Sequence, residues 1–120
     1  MRGGRPGDGH GHREAQLRDV SGSELERSLA EEERLVLAAF WTPGCEPCRE
    51  LRASLQAIGG EVAAVLAVNA DLEVEAVSRH RVEEFPTLVF YKGGRELYRL
   101  KGGALPASTR NLLAGLEPGR

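Results

Sequence analysis

The run Leu35 to Trp41 is almost continuously apolar and of strand length, the pattern of a β-strand covered on both faces, and it leads straight into Thr42, Pro43, Gly44, Cys45, Glu46, Pro47 and Cys48. Beyond it the period changes to that of a helix. Cys48, Leu51, Leu55 and Ile58 fall on one face at spacings of three and four, Arg49, Glu50, Arg52 and Gln56 face away, and Gly59 and Gly60 end the helix. Both cysteines of the chain therefore lie where a buried strand meets a helix. A thiol at a helix N-terminus sees unpaired backbone N–H groups and the positive end of the helix dipole, which stabilise the nucleophilic thiolate. Its neighbour one turn on is placed to displace a mixed disulfide. Two cysteines three positions apart close too small a loop to act as a structural framework, so they read as a working pair.

The flanking sequence supplies alternating strands and helices. Residues Met1 to Glu14 hold five glycines, a proline, three arginines and two histidines without periodicity, and are expected to form a disordered tail ahead of one domain spanning residues 15–117. Leu17 to Val20 reads as a short first strand. Ser21 and Glu24 form a capping box for a helix whose apolar face carries Leu25 and Leu29 and which ends in the acidic run Glu31 to Glu33. Val62 to Val68 reads as a buried central strand, followed by a short helix from Leu72 to about His80, which with the preceding units points to a parallel βαβ arrangement. Thr87 to Tyr91, the turn Gly93 and Gly94, and Glu96 to Leu100 then read as an antiparallel hairpin. Pro106 suits the first turn of a last helix carrying Leu112, Leu113 and Leu116.

Composition narrows the functional classes. The formal net charge is −2 and the pI near 5.9, so no cationic excess exists to bind nucleic acid. No stretch of 18 apolar residues suggests a membrane span, and the arginine-bearing N-terminus lacks the apolar core of a signal peptide, so a cytoplasmic monomer is expected. No metal site is expected either: Met1 is the lone methionine, and His10 and His12 read as solvated residues of the tail.

From Leu17 to Leu116 the chain resembles the thioredoxin family. The resemblance rests on Phe40 and Trp41 ahead of the first cysteine, on Cys45, Glu46, Pro47 and Cys48 at a helix start, and on Phe85, Pro86 and Thr87 before the hairpin. Val68, Asn69, Ala70 and Asp71, with Gly93, Gly94 and Gly102, match in order and approximate spacing. The resemblance implies an α/β thioredoxin fold, a central mixed β-sheet flanked by helices on both faces. It implies that Cys45 is the attacking thiolate, that Cys48 resolves the mixed disulfide, and that Pro86 is cis and lies against the pair; a trans proline starting an edge strand is the alternative. Trp41 is expected beneath the active-site loop, as a shield for the sulfurs or simply as a core aromatic. Pro47 suits the first helical turn, where its missing N–H has no partner.

Several positions depart from the family pattern. Gly44 and Glu46 stand where a tryptophan and a glycine are usual, which removes apolar contact from the client face and sets a negative charge beside Cys45 that opposes its ionisation. Ala39 and Ala67 replace a buried aspartate and lysine thought to move the proton of the resolving thiol, so resolution is expected to be slow near neutral pH. Ala53 replaces a helix-kinking proline, and the span from Cys48 to Asn69 is shorter by about one turn. Glu83 and Glu84 form with Glu46 either an acidic rim around Cys45 or plain solvated surface. The expected function is thiol–disulfide exchange on protein disulfides, with redox tuning and client choice altered from general thioredoxin. Its redox centre is the Cys45–Cys48 disulfide without a further cofactor, and its partners are protein disulfide clients and a reductase or other thiol electron donor. A redox-responsive adaptor or holdase that uses the same face with little turnover is the alternative.

Overall fold

A computed structural model describes residues 17–56 and 62–102 of the chain. The expected tail, Ile58, the helix stop at Gly59 and Gly60, and the Pro106 helix lie outside these residues. The elements in chain order are β1 (Leu17–Asp19), α1 (Gly22–Glu31), β2 (Leu35–Trp41), α2 (Glu46–Leu55), β3 (Ala64–Asn69), α3 (Val74–Arg79), β4 (Thr87–Lys92) and β5 (Arg95–Lys101). One sheet takes the strands in the order β1-β3-β2-β4-β5. β3 runs parallel to both β1 and β2, while β4 is antiparallel to β2 and to β5. The sheet is therefore mixed, with parallel crossovers in its first half and a hairpin in its second.

Alternate residues of the sheet feed two cores. On one face Val36, Ala38, Phe40, Leu66 and Val68 pack with Leu25 and Leu29 of α1 and Ala76 of α3. On the other, Leu35, Leu37, Ala39, Val65 and Phe90 pack with Leu51 and Leu55 of α2. Phe40 and Phe90 are fully buried on opposite faces, each worth about 1.5–3 kcal/mol by burial. Because β2 is covered on both sides, its apolar residues run without alternation.

Several boundaries differ from expectation: β3 runs Ala64–Asn69 rather than Val62 to Val68, and each hairpin strand is longer than expected, β4 ending at Lys92 and β5 spanning Arg95–Lys101. β1 stops at Asp19, and α3 begins at Val74 rather than Leu72. The late start of α3 has a local cause: Asn69 Oδ1 accepts from the Asp71 N–H at 2.9 Å, and the Asn69 carbonyl accepts from Leu72 and Glu73 at 3.1 and 2.9 Å. These bonds hold residues 70–73 in a turn that competes with the helix.

Candidate active site

The site lies where the C-terminal end of β2 passes into α2. Cys45 is the N-cap of α2 in extended conformation (φ −98°, ψ 113°), with Glu46 and Pro47 as the first helical residues. Its carbonyl accepts the Arg49 N–H at 3.2 Å, and its Sγ accepts the Cys48 N–H at 3.1 Å. The sulfur thus takes the place of a capping oxygen and meets one of the unpaired amides at the positive helix end. Cys45 and Cys48 are joined in a disulfide, their Cα atoms 5.2 Å apart. Cys45 is partly exposed, whereas Cys48 is 3% exposed and lies on the buried face of α2 with Leu51 and Leu55.

Cys48, Trp41 and Pro86 line one narrow cleft together with Ala39, Ala67 and Arg52. The Phe85–Pro86 peptide is cis. Gly102, at φ +83°, donates its N–H to the Pro86 carbonyl at 2.8 Å, which ties the end of β5 to this segment. Thr87 is buried and donates its hydroxyl to the Glu84 carbonyl at 2.7 Å. Phe85 points its ring elsewhere, into the core under α1 and α3. Gly44 is exposed, and a Cβ built on it meets no atom within 4 Å, so the missing indole leaves open surface rather than a filled socket. Glu46, Glu83 and Glu84 are all exposed. Glu46 lies 3.7 Å from Arg49, a weak surface pair that partly offsets its charge.

Ala39 and Ala67 are direct partners across β2 and β3 and are 5% and 2% exposed. The cleft they share with Cys48 has room for about 10 Å³, the lower limit for one water molecule. Neither residue offers a proton acceptor to Cys48.

The structure corrects the outward placement of Arg52. Its side chain is 33% exposed, its guanidinium lies 5.4 Å from the centre of the Trp41 ring, and it donates to both carboxylate oxygens of Asp19 at 2.9 and 2.7 Å. A long stem can cover apolar surface while its head keeps polar partners, so helical period alone misplaces such a residue. The Arg52 hydrogen bond holds the Asp19 carboxyl below its ordinary range, and Asp19 correspondingly raises Arg52. The sequence carried one usable signal: Arg52 stands four residues after Cys48, on the next turn of the same helix. Trp41 Nε1 is buried without a hydrogen-bond partner among the described residues. No cluster of metal-binding side chains occurs among them.

The thioredoxin family model matches residues 16–114. A thioredoxin of Streptomyces clavuligerus is 33% identical over 106 residues, covering 86% of this chain and 92% of that protein. Thioredoxin-2 of Saccharomyces cerevisiae is 31% identical over 96 residues, covering 78% and 91%. Among solved structures, a mutant thioredoxin from Halobacterium salinarum superposes with a TM-score of 0.78 at 24% identity, over 85% of this chain and 91% of that one.

Proposed function

The chain belongs to the thioredoxin family as a thiol–disulfide oxidoreductase with a CxxC pair, and from that premise we propose that it acts on protein disulfides through Cys45 as nucleophile and Cys48 as resolving thiol. The observation that carries this assignment is their unequal setting at one helix start: Cys45 partly exposed at the N-cap, Cys48 buried one turn on. In the reductive direction the Cys45 thiolate attacks a client sulfur, forming a mixed disulfide and releasing the other client sulfur. Cys48, having lost its proton, then attacks Cys45 Sγ; the Cys45–Cys48 bond forms and the second client thiolate leaves. Two electrons pass from the cysteine pair to the client disulfide, and a reductase or other thiol donor returns them. Trp41, Pro86 and Gly102 support the pair, the exposed surface of Gly44 and Glu46 receives the client, and Phe85 and Thr87 hold the Pro86 segment from within, one packed on the core and the other bonded to the Glu84 carbonyl.

Client choice and redox tuning are altered in this reading. Gly44 withdraws an apolar contact from the client face, and Glu46, Glu83 and Glu84 favour basic clients. A cytoplasmic location belongs to the same proposal, because a reductive cycle needs a compartment that keeps thiols reduced; fractionation of cells carrying a tagged chain tests it.

Reduction of insulin by dithiothreitol tests the assignment. The protein is expected to accelerate it, Cys45→Ser to abolish the acceleration, and basic disulfide peptides to react faster than acidic ones at low salt, with the gap closing as salt rises. Wild-type rates no faster than those of Cys45→Ser would replace the enzyme reading with a redox-responsive binding module.

A further inference from the structure

Resolution of the mixed disulfide requires a thiolate on a buried sulfur. Burial disfavours the charged form of a thiol, and Cys48 is 3% exposed. The two residues facing it from β2 and β3, Ala39 and Ala67, are neutral and apolar. Among the described residues, Arg52 is the single charged side chain that lines the Cys48 cleft.

Its placement is fixed from three directions. The helix sets it one turn beyond Cys48, where side chains four apart are neighbours with Cβ atoms about 5–6 Å apart. Asp19 of β1 accepts from both terminal guanidinium nitrogens, and the Trp41 ring lies 5.4 Å away. A charge held this way loses little further freedom when an anion forms beside it. Its side chain is 33% exposed, so its field is less screened than that of a fully exposed charge.

We propose that Arg52 is a positioning residue for thiol–disulfide exchange, supplying the positive charge that supports the Cys48 thiolate as it attacks Cys45. The proposal rests on the dithiol reading above. In this step the Cys48 proton passes to solvent, the Cys48–Cys45 bond forms, the bond from Cys45 to the client sulfur breaks, and the client leaves as a thiolate that takes up a proton from water. Arg52 does not exchange a proton.

The other charges around the cleft modulate this effect without replacing it. Asp19 opposes it, since both its carboxylate oxygens bind the guanidinium, but its side chain is 62% exposed and water screens its charge. On α2, Glu46 and Arg49 form their own exposed pair at 3.7 Å and Glu50 is exposed. Glu73 lines the neighbouring groove with Trp41 and Arg52 and accepts the Gly22 N–H at 2.8 Å.

The chain has two cysteines, so Cys45→Ser leaves Cys48 as the sole thiol, and its ionisation is read by ultraviolet thiolate absorbance. Adding Arg52→Gln is expected to raise the titration midpoint, tightening proton binding about threefold to tenfold, at or below the low end of what a neighbouring opposite charge produces. Adding Asp19→Asn is expected to lower the midpoint, and Arg52→Lys to retain part of the wild-type value. Unchanged midpoints, or shifts in the same direction for Arg52→Gln and Asp19→Asn, would overturn the proposal, since loosening of the structure moves both alike. If Arg52→Gln fails to fold, Asp19→Asn carries the test with the opposite sign. The titration reads Cys48 directly, so a shift without insulin turnover in the wild type removes only the dithiol reading.

Discussion

His80 joins three elements through its side chain: Nε2 lies 2.6 Å from the Glu26 carboxylate of α1, and Nδ1 lies 2.8 Å from the Tyr91 hydroxyl of β4. A neutral imidazole satisfies all three groups, donating Nε2–H to Glu26 and accepting the Tyr91 O–H at Nδ1. Arg99 closes the chain by donating to the His80 and Arg81 carbonyls at 2.8 and 3.0 Å. Burial drives the Tyr91 phenol well above its ordinary range, and the Glu96 charge pushes the same way. The sign of the linkage follows: a raised folded-state value means that above about pH 10 the unfolded chain ionises first and binds fewer protons, so stability falls as pH rises. Tyr91→Phe removes this component. The variant is expected to be about 1–3 kcal/mol less stable near neutral pH, through the lost bond and the stranded Nδ1, and the gap is expected to narrow above pH 10. Urea denaturation of both proteins across that range checks it; a gap that stays constant to high pH would mean that Tyr91 ionises equally in both states. None of this network was legible in the sequence, because Glu26, His80 and Tyr91 meet only when α1 and α3 pack on β4. The cysteines were legible because their chemistry is local: strand, N-cap and helix are contiguous. Arg52 fell between these cases, since its spacing from Cys48 is local but its partner Asp19 is 33 residues away.

At the scale of elements, what the sequence revealed is what short-range physics decides. Ser21 caps α1 as its pattern indicates, with Ser21 Oγ accepting the Glu24 N–H at 3.1 Å and Glu24 Oε1 accepting the Ser21 N–H at 2.7 Å. Ser21→Ala removes one half of this reciprocal pair. The expected loss is about 1 kcal/mol of stability, read as a lower urea midpoint at unchanged slope; a loss below a few tenths would show that packing of Leu25 and Leu29 holds the helix end without the cap. The β4–β5 hairpin was equally legible. Gly93 and Gly94 both adopt positive φ, +60° and +80°, as a two-residue turn between right-twisted strands requires. Gly94 has a second reason that no sequence displays: a Cβ there stands 3.0 Å from the Leu29 carbonyl of α1. A boundary poorly visible in advance was the start of α3, because the side-chain bond from Asn69 to the Asp71 N–H competes with helical ones and propensity does not register the contest.

At the scale of the whole molecule, folding and redox state form one linked equilibrium. The disulfide joins residues three apart in sequence, and closing so short a loop in an unfolded chain costs about 2 kcal/mol of conformational entropy. In the folded protein β2 and α2 already hold the two Cα atoms 5.2 Å apart, inside the normal range for a disulfide, so that cost falls on the unfolded state alone. The oxidised protein is therefore expected to resist urea by about 2 kcal/mol more than the reduced one. The same cycle read in the other direction makes the folded pair a stronger reductant than the identical pair in the unfolded chain by about 40 mV, since about 30 mV corresponds to 1.4 kcal/mol for a two-electron couple. Urea midpoints of the two redox forms give the first number, and glutathione equilibria of native and urea-unfolded protein give the second. The two must agree, because they are edges of one cycle. A reduced form as stable as the oxidised one would reject the loop-entropy account and shift the weight to the thiolate side. There the N-terminus of α2 and the Cys48 N–H, already 3.1 Å from Cys45 Sγ, would be stabilising the reduced protein by a comparable amount.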